Sequence, residues 1–186
     1  KMGYALAEAC AAAGADVALI SGPVTLEPPA RVVLHHVTTA IEMCRAATTL
    51  AEGADLFIAA AAVADYRPEA PSQEKLKKLG GEPMSLSLVE NPDIVQSVAQ
   101  LTPRPSLMVG FAAETHEVLA HAREKRVRKC LDMIIANDVS DPQTTFGSEQ
   151  NAVHMITEND ETALPLASKR VIAEQIIAAL AAQLAD

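Results

Sequence analysis

Apolar and polar positions follow two alternating periods along this chain. Residues 2–13 carry apolar side chains at helical spacing, and Gly14 follows where a helix would end. Short apolar runs at 16–20 and 31–37 predict strands, and Thr38 or Thr39 can cap a helix that ends near residue 51. The first quarter of the chain therefore predicts strands that alternate with helices.

The same alternation continues to the carboxyl terminus. It predicts strands at 84–89, 107–111 and 132–136, a helix that follows Asn-Pro-Asp at 91–93 and ends near 101, helices at 115–130 and 168–184, a polar loop at 138–150, and a hairpin of 152–156 with 162–166. Strands that alternate with helices build βαβ units. We therefore expect one α/β domain over residues 1–186: a Rossmann-like, doubly wound, mostly parallel sheet with helices on both faces and a small C-terminal β-hairpin.

The stretch 54–78 is the centre of this prediction. Its run 56–64 is apolar without interruption, which is typical of a strand buried on both faces of a sheet. Asp65 and Tyr66 follow, and a proline-containing loop then leads to the Lys-Leu-Lys-Lys sequence at 75–78. Ligands of open α/β sheets bind beyond the carboxyl ends of the strands. An acid, an aromatic ring and a basic loop there predict a site for a phosphorylated or nucleotide ligand.

Composition excludes several classes of function. The net charge of −9 over 186 residues leaves no broad basic face for a nucleic acid. The three cysteines are scattered without a Cys-x-x-Cys pair, which indicates a reduced cytoplasmic protein without disulfides or a zinc site. No run approaches the roughly 20 apolar residues that a membrane span needs. We expect neither nucleic acid nor membrane as a partner.

Widely shared motifs give little information. The chain has no Gly-x-Gly-x-x-Gly, no Walker A sequence, no His-Glu-x-x-His and no Gly-x-Ser-x-Gly. Tyr66 has no lysine four residues later, so the Tyr-x-x-x-Lys pair of short-chain dehydrogenases is absent as well. An NAD(P)-dependent oxidoreductase remains an alternative on this fold, although its sequence signatures are missing.

Each candidate feature also has an ordinary structural interpretation. Asp65 suits a polar strand end, and the lysines at 75–78 suit a solvated helix start. Residues 91–93 (Asn-Pro-Asp) are typical of a capped helix start, and Phe111 ends an apolar strand and suits the core.

Two further lysines, Lys125 and Lys129, lie four residues apart and so share one side of the predicted helix 115–130. Their position near the end of that helix suits its dipole, which favours cations and disfavours anions there. The pattern alone therefore favours a basic helix terminus.

The start of the chain differs from a complete doubly wound sheet. Residue 1 stands at the start of a helix, whereas such sheets normally place a first strand centrally and bind phosphate in the loop that follows it. We therefore expect the natural protein to continue upstream, so that this chain lacks its N-terminal strand and phosphate loop.

Eight short segments in a fixed order strengthen the prediction of a nucleotide site. They are Lys-Met-Gly at 1–3, Ser-Gly-Pro-Val at 21–24, Ala-Ala-Val-Ala-Asp-Tyr-Arg-Pro at 61–68, Lys-Leu-Lys-Lys at 75–78, Asn-Pro-Asp-Ile at 91–94, Gly-Phe-Ala-Ala-Glu-Thr at 110–115, Lys-Arg-Val-Arg-Lys at 125–129 and Ala-Asn-Asp-Val-Ser at 136–140. The series resembles bacterial phosphopantothenate–cysteine ligase (phosphopantothenoylcysteine synthetase). In many bacteria that ligase is the C-terminal half of a bifunctional coenzyme A biosynthesis protein.

The resemblance implies a two-step reaction. CTP and 4′-phosphopantothenate would give an acyl-cytidylate and pyrophosphate, and the amine of L-cysteine would then displace CMP to form phosphopantothenoylcysteine. Mg²⁺ and a lysine on a flap would stabilise the charge that builds on the phosphates. The resemblance also implies a homodimer.

The resemblance assigns a role to particular residues. Lys75 would be the flap lysine and catalytic candidate, Ala59 to Ala61 would offer backbone groups to the nucleotide, and the metal ligands stay unassigned. The implied nucleotide-binding set is Ala59, Ala60, Ala61, Asp65, Lys75, Val89, Glu90, Asn91, Pro92, Phe111, Lys125 and Lys129. Within it, residues 89–92 and Phe111 would surround the cytosine, and the last two lysines would meet the triphosphate.

The chain also departs from the family pattern. Members carry Asn-His-Ser-Ser-Gly directly before the Lys-Met-Gly with which these 186 residues begin, and that segment holds the acyl-cytidylate and phosphate. A nucleotide-binding domain that is inactive as this chain is therefore a second hypothesis. The flavin-dependent decarboxylase half, a possible fused or separate partner, is also outside this sequence, so no flavin is expected.

Overall fold

The structure is a computed structural model that describes residues 1–72, 74–77, 80–81, 84–114, 116–138 and 148–185. Its helices are α1 (Met2–Ala12), α2 (Ala40–Ala51), α3 (Ile94–Ala99), α4 (Val118–Arg128) and α5 (Lys169–Ala185). Its strands are β1 (Val17–Ser21), β2 (Val32–His36), β3 (Leu56–Ala59), β4 (Tyr66–Pro68), β5 (Leu88–Glu90), β6 (Leu107–Glu114), β7 (Met133–Asp138), β8 (Gln150–Ile156) and β9 (Glu161–Ser168).

The largest sheet has the order β3-β6-β7-β8-β9. Strands β3, β6 and β7 are parallel, whereas β8 and β9 form an antiparallel hairpin at one edge. Strands β1 and β2 form a separate parallel pair, and β4 and β5 form an antiparallel pair. The α/β prediction with a mostly parallel centre and a C-terminal hairpin is therefore confirmed.

Helices cover both faces of the large sheet. On one face α1 and α5 pack against strand residues such as Val109, and on the other α2, α3 and α4 pack against residues such as Met108. These two neighbours in β6 are both fully buried although they point to opposite faces. A central strand covered on both sides requires this, and the doubly wound prediction is confirmed.

The ends of two helices agree with their predicted signals. Gly14 follows α1 with a φ of 95°, a left-handed conformation that glycine adopts without strain. The Thr39 hydroxyl accepts a hydrogen bond from the Glu42 backbone N–H at 3.1 Å, and the Glu42 carboxylate accepts one from the Thr39 N–H, also at 3.1 Å. This reciprocal capping box satisfies two amides that the first helical turn leaves without partners.

The prediction of a long buried strand over 56–64 is wrong. Strand β3 ends at Ala59, its side chains are only partly buried, and Ala61 and Ala62 are exposed. An alanine side chain buries little apolar area, so an alanine run gains little from staying inside a sheet. The chain instead leaves the sheet and forms β4, a strand that the pattern did not predict.

Other boundaries moved by a few residues. The strand expected at 84–89 shortens to β5, and the strand expected at 107–111 extends as β6 to Glu114. Most of the polar loop 138–150 lies outside the described residues. In the described part of the chain no helix is long and apolar enough to cross a membrane. All three cysteines are free, as predicted.

Candidate functional site

The site predicted from the sequence lies where β3 and β6 part. Ala59, the last residue of β3, pairs with Gly110, whereas β6 continues to Glu114. Because the strands are parallel, the end of β3 and the extension of β6 lie at the same edge of the sheet. From Phe111 onward the side of β6 that faced β3 has no strand beside it in the described structure. Parallel sheets bind ligands at such an edge.

The three alanines of the predicted set lie at the start of this break. Ala59 ends β3, and Ala60 follows outside the strand and packs against the cluster formed by α1 and α5. A Cβ placed on Gly3 of α1 would lie 3.8 Å from the Cβ of Ala60, so helix and segment are close neighbours. Ala61 is exposed. The small side chains leave the backbone of this segment accessible to a ligand.

A hydrogen-bond network centred on Asn91 joins the segment after β3 to β5. The Asn91 side-chain NH₂ donates to the Ala64 carbonyl at 2.8 Å, and the Asn91 backbone N–H donates to the Asp65 carbonyl at 2.8 Å. The Arg67 guanidinium donates to the Asn91 side-chain oxygen at 3.3 Å and to the Glu90 carbonyl. We call these five residues the Asn91 network.

The network brings three predicted residues together. Asp65 and Asn91 come from two segments of the chain and share a direct hydrogen bond, and Glu90 is linked to Asn91 through Arg67. The bonds to Asp65 use its backbone carbonyl, and the residue is exposed. Its carboxylate therefore stands at the surface beside the network. Val89 lies one residue before Glu90 in β5, paired with Arg67.

The next part of the site connects α3 with α4. Asp93, which follows Asn91 and Pro92, is the N-cap of α3 and accepts a hydrogen bond from the Gln96 N–H at 3.1 Å. The same carboxylate forms an ion pair with Lys129 at the end of α4. Lys129 is therefore held beside the loop 89–93, although it lies late in its helix.

Both members of this pair are largely removed from water, with side chains 32% and 22% exposed for Asp93 and Lys129. Burial raises the pKa of the Asp93 carboxyl, but the hydrogen bonds from Lys129 and the Gln96 N–H, together with the charges of Lys129 and Arg128, lower it more. The net result is a pKa below the ordinary value of an aspartate. The carboxylate is ionised at neutral pH, so the pair is charged.

Lys125 contacts a second predicted residue. Its ammonium group donates to the Phe111 carbonyl at 3.0 Å, which ties α4 to the part of β6 beyond the end of β3. The Phe111 side chain is partly buried and packs against the α1–α5 cluster, as the structural interpretation expected. From one side of α4 and its C-terminal end, the two lysines thus contact β6 and the start of α3.

Lys75 stands apart from these contacts. It is exposed in the connection between β4 and β5, and among the described residues it makes no hydrogen bond or ion pair with the Asn91 network. The nearby Ser72 hydroxyl donates to the Glu74 carbonyl at 2.8 Å and accepts from the Glu74 N–H at 3.2 Å, which forms a local turn. Lys78 lies outside the described residues. The role of Lys75 stays a prediction.

Sequence reasoning missed two residues of the site. Arg67 gave no signal, because its partners at 90 and 91 lie 23 and 24 positions away. Asp93 was recognised only as a helix cap, and its pairing with Lys129 spans 36 positions. An N-cap aspartate can be read from sequence, but a distant partner cannot.

Two hollows lie elsewhere on the surface. One of about 220 Å³ lies on the surface between α1 and α5, and one of about 480 Å³ lies beside Lys1, Tyr4 and Lys169. Neither is lined by a residue of the predicted nucleotide set.

Curated relatives match nearly the whole chain. The coenzyme A biosynthesis bifunctional protein CoaBC of Escherichia coli (strain K12) is 44% identical over 179 residues, which are 95% of this chain and 44% of that protein. CoaBC of Vibrio parahaemolyticus is 48% identical over 178 residues, 95% of this chain and 45% of that protein. The chain thus spans less than half the length of these relatives.

A solved structure agrees with these similarities. The crystal structure of the C-terminal domain of CoaBC matches with a TM-score of 0.82 and 33% identity, over 100% of this chain and 83% of the other. A Cab2 variant in complex with phosphopantothenate-cysteine matches with a TM-score of 0.73 and 18% identity, over 99% and 77% of the two chains. That second likeness shows the fold alone.

The match to a family model covers residues 1–184. The family model and the curated relatives thus each cover nearly the whole chain. The chain belongs to the DNA/pantothenate metabolism flavoprotein C-terminal domain family.

Proposed function

We propose that this chain is the ligase domain that joins 4′-phosphopantothenate to L-cysteine with CTP as the activating nucleotide. The observation that carries the proposal is the similarity to two coenzyme A biosynthesis bifunctional proteins, at 44% and 48% identity over 95% of the chain. The fold also matches a Cab2 variant described in complex with phosphopantothenate-cysteine. The Asn91 network supplies the surface on which the nucleotide would bind.

The chemistry explains why a nucleotide is needed. A carboxylate cannot expel oxide when an amine attacks it, so the acid must first become an acyl phosphate. In the proposed first step, a carboxylate oxygen of 4′-phosphopantothenate bonds to the α-phosphorus of CTP, and the bond to pyrophosphate breaks. In the second step, the cysteine nitrogen bonds to the acyl carbon, CMP leaves with the bonding electrons, and the nitrogen loses a proton.

The described residues suit different parts of the nucleotide. The backbone at Ala60 and the exposed Ala61, with the carboxylate of Asp65, would meet the nucleoside, beside the segment 89–92 and Phe111. The ammonium groups of Lys125 and Lys129 would attract the triphosphate. Lys129 carries three N–H donors and shares one with Asp93, so it can still donate to a phosphate oxygen.

Lys75 is the proposed catalytic residue. It lies in an exposed loop, which could close over a bound nucleotide. An ammonium group that arrives with the loop would act mainly on the charge that develops as the phosphoryl–oxygen bond breaks. Lys75 would thus act on turnover rather than on nucleotide binding.

Mg²⁺ would bind with the triphosphate. The described residues contain no group of three or more His, Cys, Asp or Glu side chains that could hold a metal. Mg²⁺ commonly uses substrate phosphates, water and one or two carboxylates instead, and its protein ligands stay unassigned. When bound, the ion would offset phosphate charge.

The remaining expectations concern the setting of the domain. The homodimer implied by the resemblance stays a proposal, which sedimentation velocity of the natural protein would test. The free cysteines fit the reducing cytoplasm that composition predicts. The relatives are bifunctional proteins, so we also propose a fused or separate flavin-dependent decarboxylase partner.

A turnover assay tests the proposed function. The full-length natural protein is supplied with CTP, Mg²⁺, 4′-phosphopantothenate and L-cysteine, and CMP, pyrophosphate and phosphopantothenoylcysteine are measured. We expect the three products in equal amounts, and no CMP when phosphopantothenate is omitted. Nucleotide binding without products would support a binding module. Binding of NADPH at micromolar concentration, with none of CTP, would support the oxidoreductase alternative.

A further inference from the structure

The segment 60–65 connects β3 to β4 but belongs to none of the described sheets. A segment without strand partners needs other bonds if it is to present its backbone in one conformation. Asn91 supplies two, from its side-chain NH₂ to Ala64 and from its backbone N–H to Asp65, both at 2.8 Å. Asn91 therefore fixes the end of the segment that carries the Asp65 carboxylate.

The side chain of Asn91 could in principle face either way. Its oxygen and its NH₂ group are similar in size, and only hydrogen bonding distinguishes them. Arg67 decides the orientation, because its guanidinium can only donate and it contacts the Asn91 oxygen at 3.3 Å. The NH₂ group is thereby directed to the Ala64 carbonyl. The reverse orientation would set donor against donor and acceptor against acceptor.

The position of Arg67 in β4 suits this task. It pairs with Val89 of β5 and is half-buried, whereas its neighbours Tyr66 and Pro68 are exposed. Its side chain thus points to the opposite face of the strand pair from those neighbours. One terminal guanidinium nitrogen contacts both the Asn91 oxygen and the Glu90 carbonyl, because its two N–H groups can donate to two acceptors.

We propose that Arg67 is a positioning residue for nucleotide binding: it holds the Asn91 amide and the Glu90 carbonyl, and through Asn91 it fixes the backbone that carries Asp65. The inference rests on the proposed function, since it assumes that the nucleotide meets this surface. Arg67 acts through Asn91 and not through contact with the ligand.

The position of the network separates this role from a general contribution to stability. None of the buried residues in the two core clusters comes from β4 or β5. Loss of the Arg67 contacts should therefore disturb the segment 60–65 while the folded core persists. Arg104 offers a matched control, because its guanidinium bonds both oxygens of Asp132 at 2.8 and 2.7 Å away from the network.

A double-mutant cycle in the full-length natural protein tests the inference. Arg67→Lys keeps the charge but loses the fixed planar N–H directions of the guanidinium, and Asn91→Ala removes the amide. We expect each change to raise the dissociation constant for CTP about tenfold, which is the scale of one charge-assisted hydrogen bond. The double variant should also show about a tenfold rise, since both changes break one unit. Arg104→Lys should leave the dissociation constant unchanged.

Hydrogen–deuterium exchange gives a second readout that needs no nucleotide. Arg67→Lys should raise deuterium uptake of peptides covering 60–66, and Arg104→Lys should not. Additive effects in the cycle, or unchanged uptake at 60–66, would overturn the role of Arg67. Raised uptake in a natural protein that does not bind CTP would overturn the proposed function but keep Arg67 as the residue that orders this segment.

Discussion

Two groups of lysines in this protein differ in how the fold holds them. Lys125 and Lys129 lie on a helix, and each donates to a fixed group, the Phe111 carbonyl or the Asp93 carboxylate. Lys75 and Lys77 lie in an exposed loop between two short strands. A cation that is already fixed attracts an anion equally in the ground state and the transition state. A cation on a loop can arrive with the reaction and act on charge that has just formed.

The comparison predicts separate kinetic effects for the two groups. Loss of a helix lysine should weaken nucleotide binding, and loss of Lys75, the loop lysine that we propose as catalytic, should slow turnover. If the variants of both groups changed CTP affinity and turnover equally, the comparison would be wrong. If each group changed mainly one of the two quantities, the comparison would be supported.

The largest effect should follow from Lys75→Gln. We expect kcat to fall by about 100-fold or more, which is typical when a group that stabilises transition-state charge is removed. The dissociation constant for CTP should change by less than about threefold. Lys77→Gln is the matched control, with the same charge change in the same loop, and should retain most of its turnover. Equal losses in turnover and in CTP affinity would refute the proposed role of Lys75.

Lys129→Gln should have the next largest effect, and it should act on CTP affinity more than on turnover. The dissociation constant for CTP should rise about tenfold, because one charge-assisted hydrogen bond to phosphate is lost. Turnover at saturating CTP should fall much less. Arg128→Gln removes the same charge from the neighbouring, exposed position and controls for the general field of α4. A similar loss in both variants, measured by calorimetric titration, would remove Lys129 from the site.

Asp65→Asn should have a smaller effect. The carboxylate is exposed and the backbone carbonyl keeps its hydrogen bond, so the melting temperature without ligand should stay nearly unchanged. CTP affinity should fall by about threefold to tenfold, the scale of an ordinary hydrogen bond. A large fall in melting temperature, with CTP affinity unchanged, would return Asp65 to a structural role.

The smallest expected effect is that of Asp93 on the pH dependence of the unfolding free energy. The lowered pKa of Asp93 means that its charge stabilises the folded chain above the ordinary aspartate pKa. That contribution is lost as the pH falls through the lower, folded-state pKa. Asp93→Asn should therefore reduce the unfolding free energy at pH 7 but make little difference near pH 2, in urea titrations.

Asn also caps helices well, so α3 itself should persist in this variant. An Asp93→Asn protein that is equally destabilised at both pH values would show that the charge of the Asp93–Lys129 pair contributes nothing to folding.

The fold was predictable because its signals are local. The alternation of apolar periods predicted the α/β class, and the pair Thr38 and Thr39 predicted the start of α2, where Thr39 is the N-cap. The strand prediction for 56–64 was wrong because its alanine side chains are apolar but bury little surface area, and the chain leaves the sheet after Ala59. Apolar pattern alone does not report how much surface a residue can bury.

For the candidate site, the sequence could propose members but not their contacts. Asp65 was proposed from its place after an apolar run, Asn91 and the nucleotide role of the α4 lysines from the resemblance, and none of their partners was foreseen. The Asn91 side chain contacts a carbonyl 27 positions away, and Arg67 orients it across a strand pair that includes an unpredicted strand. Such contacts arise from tertiary structure, so a local sequence pattern does not predict them.

The central claim is that the nucleotide binds where β3 leaves the sheet, between the Asn91 network and α4. A crystal structure of the full-length natural protein with CTP and Mg²⁺ tests it most directly. We predict the nucleotide beside Asp65 and Asn91, with its phosphates within hydrogen-bond distance of Lys125 or Lys129. A nucleotide bound instead in the hollow between α1 and α5, with the Asn91 network empty of ligand, would contradict the account.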